Sequence, residues 1–171
     1  LQRARELDIR NIVVATTRGE VGVRAAGFFQ GFNLVLVTHS TGFRAPDTQE
    51  LTPENRQAIL DSGAHLLTAT HAFGGIGRAV RRKLNTYQVD EVIAYALRIF
   101  GEGLKVCCEV TLMAADAGLI RTDEEAIALG GTGRGVDTAV VLQPAHAQDF
   151  FSMCIKEIIC KPRSWEMKIH K

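Results

Sequence analysis

The chain has 171 residues, 46% of them hydrophobic and 23% charged, and a formal net charge of +1. That length fits one domain whose core needs no disulfide staples, and the composition excludes an intrinsically disordered chain. The near-neutral balance offers no broad basic surface for nucleic acid and no apolar run long enough to cross a bilayer, so neither a nucleic-acid nor a membrane partner is expected.

Leu1 to Leu7 sets Arg3, Arg5 and Glu6 between apolar positions and reads as the end of a helix, while Leu1 in place of an initiator Met suggests a chain that begins within a longer one. Asn11-Ile12-Val13-Val14-Ala15-Thr16 is short, apolar and rich in β-branched residues without polar alternation, the pattern of a strand covered on both faces of a parallel sheet. Thr16-Thr17-Arg18-Gly19-Glu20 then turns the chain into a helix from about Val21 to Gln30. Such a junction aims free N–H groups and the positive end of the helix dipole at the space above the sheet. Asn33 to Thr38 repeats the buried-strand pattern and ends in the polar loop His39-Ser40-Thr41-Gly42-Phe43-Arg44-Ala45-Pro46. Thr52-Pro53 supplies an N-cap and a first-turn proline for a helix that runs to Ser62-Gly63. Ala64 to Thr70 is the third strand, and it too closes on Thr-His, in Thr70-His71-Ala72-Phe73-Gly74-Gly75. Three strands therefore end in hydroxyl-bearing loops at one edge of a parallel sheet.

Arg78, Arg81, Arg82 and Lys83 form the one dense basic run and read as a solvated helix face. Two helices, about Val89 to Phe100 and Leu104 to Ala117, are hinged at Gly101-Glu102-Gly103, and Val89, Val92, Ile93, Ala96, Leu97 and Phe100 form a broad apolar face on the first. Lys105, Glu109 and Asp116 share a face of the second, extended by Arg98 if the two helices are nearly continuous; the leading expectation is a solvated stripe with i,i+4 pairing, the other a set of polar groups facing a cleft. Glu124 to Leu129 is the fourth strand and Thr138 to Pro144 the fifth, with too few residues between them for a crossover helix, so the fifth runs antiparallel or lies at the edge after a wide loop. Phe150 to Ile159 is a further apolar segment, helix or strand, and Lys161 to Lys171, with Trp165, is a basic tail. The expected organisation is one domain over 1–160 and a tail over 161–171.

Between the fourth and fifth strands lies Leu129-Gly130-Gly131-Thr132-Gly133-Arg134-Gly135-Val136-Asp137. Glycines let backbone amides converge on an anion, Thr132 adds a hydroxyl and Arg134 a planar five-donor cation, a combination that suits a phosphate; the alternative is a tight turn whose glycines serve only the backbone. Of the cysteines, Cys107 and Cys108 are adjacent and Cys154 and Cys160 stand apart, with no C-x-x-C pair, so a zinc site is not expected. The lack of a secretory h-region and of a disulfide pattern makes a reducing cytoplasm the default.

Several stretches together resemble a known family: Val14 to Gly19, Thr70 to Phe73, Leu97 to Val106, Met113 to Ile120 and Gly130 to Val141 look like the small stand-alone proteins related to the C-terminal domain of pyruvate kinase. Arg18 departs from the resemblance, standing where a small or polar residue is more usual. The resemblance implies an α/β fold, a three-layer α/β/α sandwich with a five-stranded mixed sheet in the order 3-2-1-4-5 and the last strand antiparallel. In such an open sheet ligands bind where the strand order reverses, between strands one and four, beyond their carboxyl ends. The resemblance further implies a phosphorylated ligand. Pyruvate kinases bind a phosphorylated effector in the corresponding domain, and the stand-alone relatives are similar to proteins seen with FMN.

The expected site therefore comprises Thr16, Thr17, Arg18 and Gly19 after the first strand, Thr38 and His39 after the second, Thr70 and His71 after the third, and Gly131, Thr132, Gly133 and Arg134 after the fourth. Thr17, Gly19, Thr132, Gly133 and Arg134 would surround the phosphate of FMN, the Thr-His pairs would meet its ribityl chain or ring, and Phe43 or Phe73 could stack on it. A regulatory module that binds a sugar phosphate or nucleotide without catalysis is the alternative, and a hydrolase or transferase using His71 with Glu109 or Asp116 a third reading, although the sequence has neither a G-x-S-x-G elbow nor an H-E-x-x-H pair. Whether the chain is an enzyme is not legible from its sequence; a homodimer is plausible by the resemblance.

Overall fold

The computed structural model describes residues 1–133 and 135–164. Four strands run parallel, β1 (Asn11–Ala15), β2 (Asn33–Thr38), β3 (His65–Thr68) and β4 (Ala126–Gly130), and β5 (Thr138–Gln143) and β6 (Cys154–Cys160) continue the sheet, each antiparallel to the strand before it. The order is β3-β2-β1-β4-β5-β6. Helices α1 (Gln2–Glu6), α2 (Glu20–Phe28), α3 (Pro53–Asp61), α4 (Ile76–Leu84), α5 (Val89–Arg98) and α6 (Glu102–Asp116) complete the chain, with a 3-10 turn over Ala147–Ser152.

The period-two alternation of the strands divides the core into two layers. Ile12, Val14, Leu36, Ile127 and Val141 meet Ala4 of α1, Ala25 of α2 and Ile59 of α3. Val13, Val35, Val37, Ala128, Val140 and Leu142 meet Ala94 of α5 and Leu104, Cys107, Leu112 and Met113 of α6. Both faces of β1, β2 and β4 are thus covered by helices, which explains their unbroken apolar sequences. The result is the expected α/β/α sandwich.

The sheet has six strands where five were expected. The sixth comes from the segment whose type the sequence left open: β6 pairs with β5, Gln143 opposite Cys154 and Leu142 opposite Ile155, with register shifts along the ladder. Its side chains are half-buried or exposed, so it carries no strong core pattern, yet it covers the edge that β5 would otherwise present. The tail beginning at Trp165 lies outside the described residues.

Two other expectations are corrected. The apolar face assigned to α5 is divided: Ile93 and Leu97 pack on the core, while Val89, Val92, Ala96 and Phe100 are exposed. The polar stripe on α6 is not solvated. Lys105 and Glu109 are both buried, on a helix whose every residue from Gly103 to Ala115 is buried except Val106. Arg98 pairs with Glu102, and Asp116, exposed at the far end, meets His146 at 3.2 Å.

Candidate functional site

All four parallel strands end at one edge, and the loops beyond them carry the expected site residues. The register sets Val14 beside Leu129, so the loops after β1 and β4 leave from neighbouring strands, and Thr38 beside Thr68, so those after β2 and β3 do likewise. The edge is built differently at its two ends.

At the β1/β4 end most polar groups have partners within the fold. Thr16 is buried, and its Oγ1 accepts the Gly22 N–H at 3.2 Å, closing the entry to α2. Gly19 stands at the N-cap of α2 with φ 106°, and a Cβ there would collide with Asn55 and come within 2.7 Å of Leu51 Cδ1. The same α3 entry reaches over to accept the loop: Asn55 Nδ2 donates to the Arg18 carbonyl at 2.9 Å and the Thr52 N–H does so at 3.3 Å. The Arg18 side chain is exposed and lies 3.9 Å from Glu20. Thr17 is half-buried, with no hydrogen bond among the described residues.

The glycine loop is closed by a carboxylate. Asp137 Oδ2 accepts both the Thr132 N–H at 3.0 Å and the Thr132 hydroxyl at 2.6 Å, while Oδ1 accepts the Thr138 hydroxyl at 2.7 Å. Gly131 is required by close approach, since a Cβ would collide with the Gly135 carbonyl oxygen. Gly133 is exposed, and Arg134 lies outside the described residues. A phosphate at Thr132 would therefore compete with a carboxylate already holding both donors.

At the β2/β3 end the rings gather. Thr38 Oγ1 shares a hydrogen bond of 2.7 Å with Thr68 Oγ1 and donates to the His39 carbonyl at 3.0 Å, fixing the point where the chain leaves β2. His39 Nδ1 meets Glu50 Oε2 at 2.6 Å. Its ring lies 4.1 Å from that of Phe43, which stacks on His71 at 4.9 Å and 26°. The guanidinium of Arg78, from α4, sits 5.0 Å from the Phe43 centroid. Beside these rings opens a cleft of about 240 Å³, lined by Ser40 to Phe43, Thr70, His71, Gly74, Gly75, Arg78 and Arg82 among others.

A buried ion pair supports the loop that carries His71. Glu109 accepts the Phe73 N–H through Oε1 at 3.1 Å and pairs through Oε2 with Lys105 Nζ at 2.6 Å. Burial works against the Glu109 carboxylate, but Lys105, His71 and the two hydrogen bonds outweigh it, and its pKa falls below the ordinary carboxylate value. Burial dominates at His71 and holds its pKa down to about 4; Glu109 opposes the shift, and His39, Lys105 and Arg78 add to it. A neutral His71 suits its surroundings, since Nε2 faces the Ser40 N–H at 3.4 Å and is the acceptor there. The neutral ring accepts a hydrogen bond near neutral pH and holds no proton to donate as an imidazolium.

Arg78 and Arg82, taken for a solvated face, escaped sequence reasoning; Lys105 and Glu109 had a solvated stripe as their leading reading, and Glu109 entered the site only as a partner of His71 in the third reading. A signal for Arg78 and Arg82 lay in Gly74-Gly75-Ile76-Gly77-Arg78, where a glycine-rich helix entry follows a Thr-His strand end. Among the described residues no group of three or more His, Cys, Asp or Glu side chains is placed to hold a metal, and no helix is long and apolar enough to cross a membrane.

A crystal structure of a pyruvate kinase from Cryptosporidium parvum is similar to this chain at 16% identity and a TM-score of 0.37, over 82% of this chain and 20% of that one. The chain thus spans about a fifth of that enzyme's length. The sequence model of the pyruvate kinase alpha/beta domain matches residues 1–142, and the chain belongs to that family.

Proposed function

We propose that this chain is a binding domain for a phosphorylated small molecule, FMN above all, taken at the carboxyl edge of the parallel sheet. One observation carries the reading: the rings of His39, Phe43 and His71 cluster beside a cleft that also holds two arginines, so an aromatic surface and cationic groups meet at one place. A planar, phosphate-bearing molecule matches that pairing. The cleft of about 240 Å³ takes a phosphoryl head and part of a ribityl chain, leaving the flavin ring at the cluster outside. Thr70 and Thr41 offer hydroxyls to the sugar-like part. Bound flavin would supply its own redox chemistry, and the protein orientation and electrostatics.

Family membership favours a second reading, a regulatory module that takes a sugar phosphate and has no reaction of its own. Titrating the purified chain with FMN, followed by flavin fluorescence and thermal melting, separates the two. Saturable quenching with a rise in Tm is the expected result, because a ligand that binds only the native state stabilises it. If a sugar bisphosphate raises Tm and FMN does not, the second reading replaces the first.

A further inference from the structure

Arg78 on α4 differs from the other buried and half-buried cations of the described fold. Arg81 is held by Glu91 at 2.6 Å, Arg98 by Glu102 at 2.5 Å, Arg3 by Glu157 at 2.6 Å and Lys105 by Glu109 at 2.6 Å. Arg78 is half-buried, yet among the described residues it has no carboxylate partner and no hydrogen bond; its guanidinium lies over the Phe43 ring and beside Gly74, where a Cβ would come within 2.8 Å of a terminal guanidinium nitrogen. Arg82, one turn on, is exposed at the mouth of the same cleft and also lacks a carboxylate within the described fold. A guanidinium withdrawn from water without a counter-charge is costly, and an anionic ligand removes that cost.

The surroundings agree. The cleft wall at Gly74 and Gly75 is the entry to α4, which has no side-chain cap and no acidic residue in its first turn. Asp90 packs against Gly77 in the first turn, and neither residue lines the cleft. Thr70 and Thr41 add hydroxyls, and His71, neutral at pH 7, adds no charge. Glu109, the strongest negative influence on Arg78, is buried and already bound to Lys105 and the Phe73 N–H.

We infer that the phosphoryl group of the ligand binds between Arg78 and Arg82 in the cleft of the β2 and β3 loops, rather than at the loops after β1 and β4. This rests on the proposed binding function and adds where the anion goes and which side chains meet it. Arg78, backed by Phe43 and Gly74, gives a fixed fork for two phosphate oxygens. Arg82 closes over the outer side. The ligand class is a phosphate monoester whose non-phosphate part extends past Phe43 and the histidines.

The experiment uses the full chain and two probes, FMN and phenyl phosphate, with affinities from calorimetry at low salt. The variants are Arg82→Gln, whose exposed position leaves the fold intact, Arg78→Gln, and the double variant Thr17→Ala with Arg134→Ala, in the sequence segments that follow β1 and β4. The expected result is at least a tenfold loss of affinity for both probes in each α4 variant and less than a threefold change in the double variant. If FMN binds and Arg82→Gln and Arg78→Gln bind it as tightly as wild type, the phosphate assignment falls and the binding function stands. If phenyl phosphate binds through Arg78 and Arg82 but FMN does not bind, the flavin reading falls and the anion site stands. Binding of neither probe overturns both. Should Arg78→Gln unfold, Arg82→Gln alone decides between these outcomes.

Discussion

The two ends of the carboxyl edge use similar residues to opposite purpose. At the β1/β4 end, threonines and glycines make loops whose polar groups are turned inward: Thr16 Oγ1 accepts the Gly22 N–H, Thr132 donates to Asp137, and Gly19 packs against Asn55. At the β2/β3 end, threonines, glycines and His71 surround open space, with Arg78 and Arg82 lacking carboxylates within the described fold. A glycine-rich strand-to-helix turn therefore indicates close approach of backbone without saying to what. Partner counting decides: a hydroxyl already bonded to a neighbouring carboxylate is part of the scaffold, and a cation without one is a candidate ligand group.

The largest effect should come from removing the support under the β2/β3 end. Lys105→Met leaves Glu109 buried without its counter-charge, and the loss of stability should be about 3–5 kcal/mol in chemical denaturation. Replacing Glu109 by Gln in the same chain should restore much of it, by removing the orphaned charge. A loss below about 1 kcal/mol would mean that water reaches the pair and that it does not support the His71 loop.

Acid should act at the same end. His71 has its folded pKa held down to about 4 against an ordinary 6.5, so the unfolded chain binds the proton first. Its contribution to stability is whole above about pH 6.5, declines as the pH falls, and is gone by about pH 4, worth up to about 3 kcal/mol. Glu109, whose folded pKa lies below the ordinary value, contributes in the same direction and loses its share at lower pH still. His71→Asn should flatten the decline between pH 6.5 and 4, as read from urea midpoints; an unchanged slope would assign it to other groups.

The smallest expected effect tests the opposite end. Gly19→Ala places a Cβ against Asn55 and Leu51 at a left-handed φ and should cost about 2 kcal/mol, with little change in ligand affinity measured on the folded fraction. A large loss of affinity at modest cost in stability would return the phosphate to this loop.

The sequence by itself determined the layered α/β architecture, because β1, β2 and β4 carry unbroken apolar runs that only a sheet covered on both faces can bury, and because so short a link between β4 and β5 forbids a crossover helix. It also placed the Thr-His strand ends at the carboxyl edge of the parallel strands. β6 was beyond it, since a half-exposed outer strand has too weak a periodicity to distinguish it from a helix. So were the roles of charged residues. Lys105 and Glu109 at i,i+4 look the same in sequence whether solvent or core surrounds them, and Arg78 differs from Arg81 only in what packs opposite. Burial and partners come from neighbours distant in the chain, Phe73 for Glu109 and Phe43 for Arg78, and only the tertiary structure brings these together.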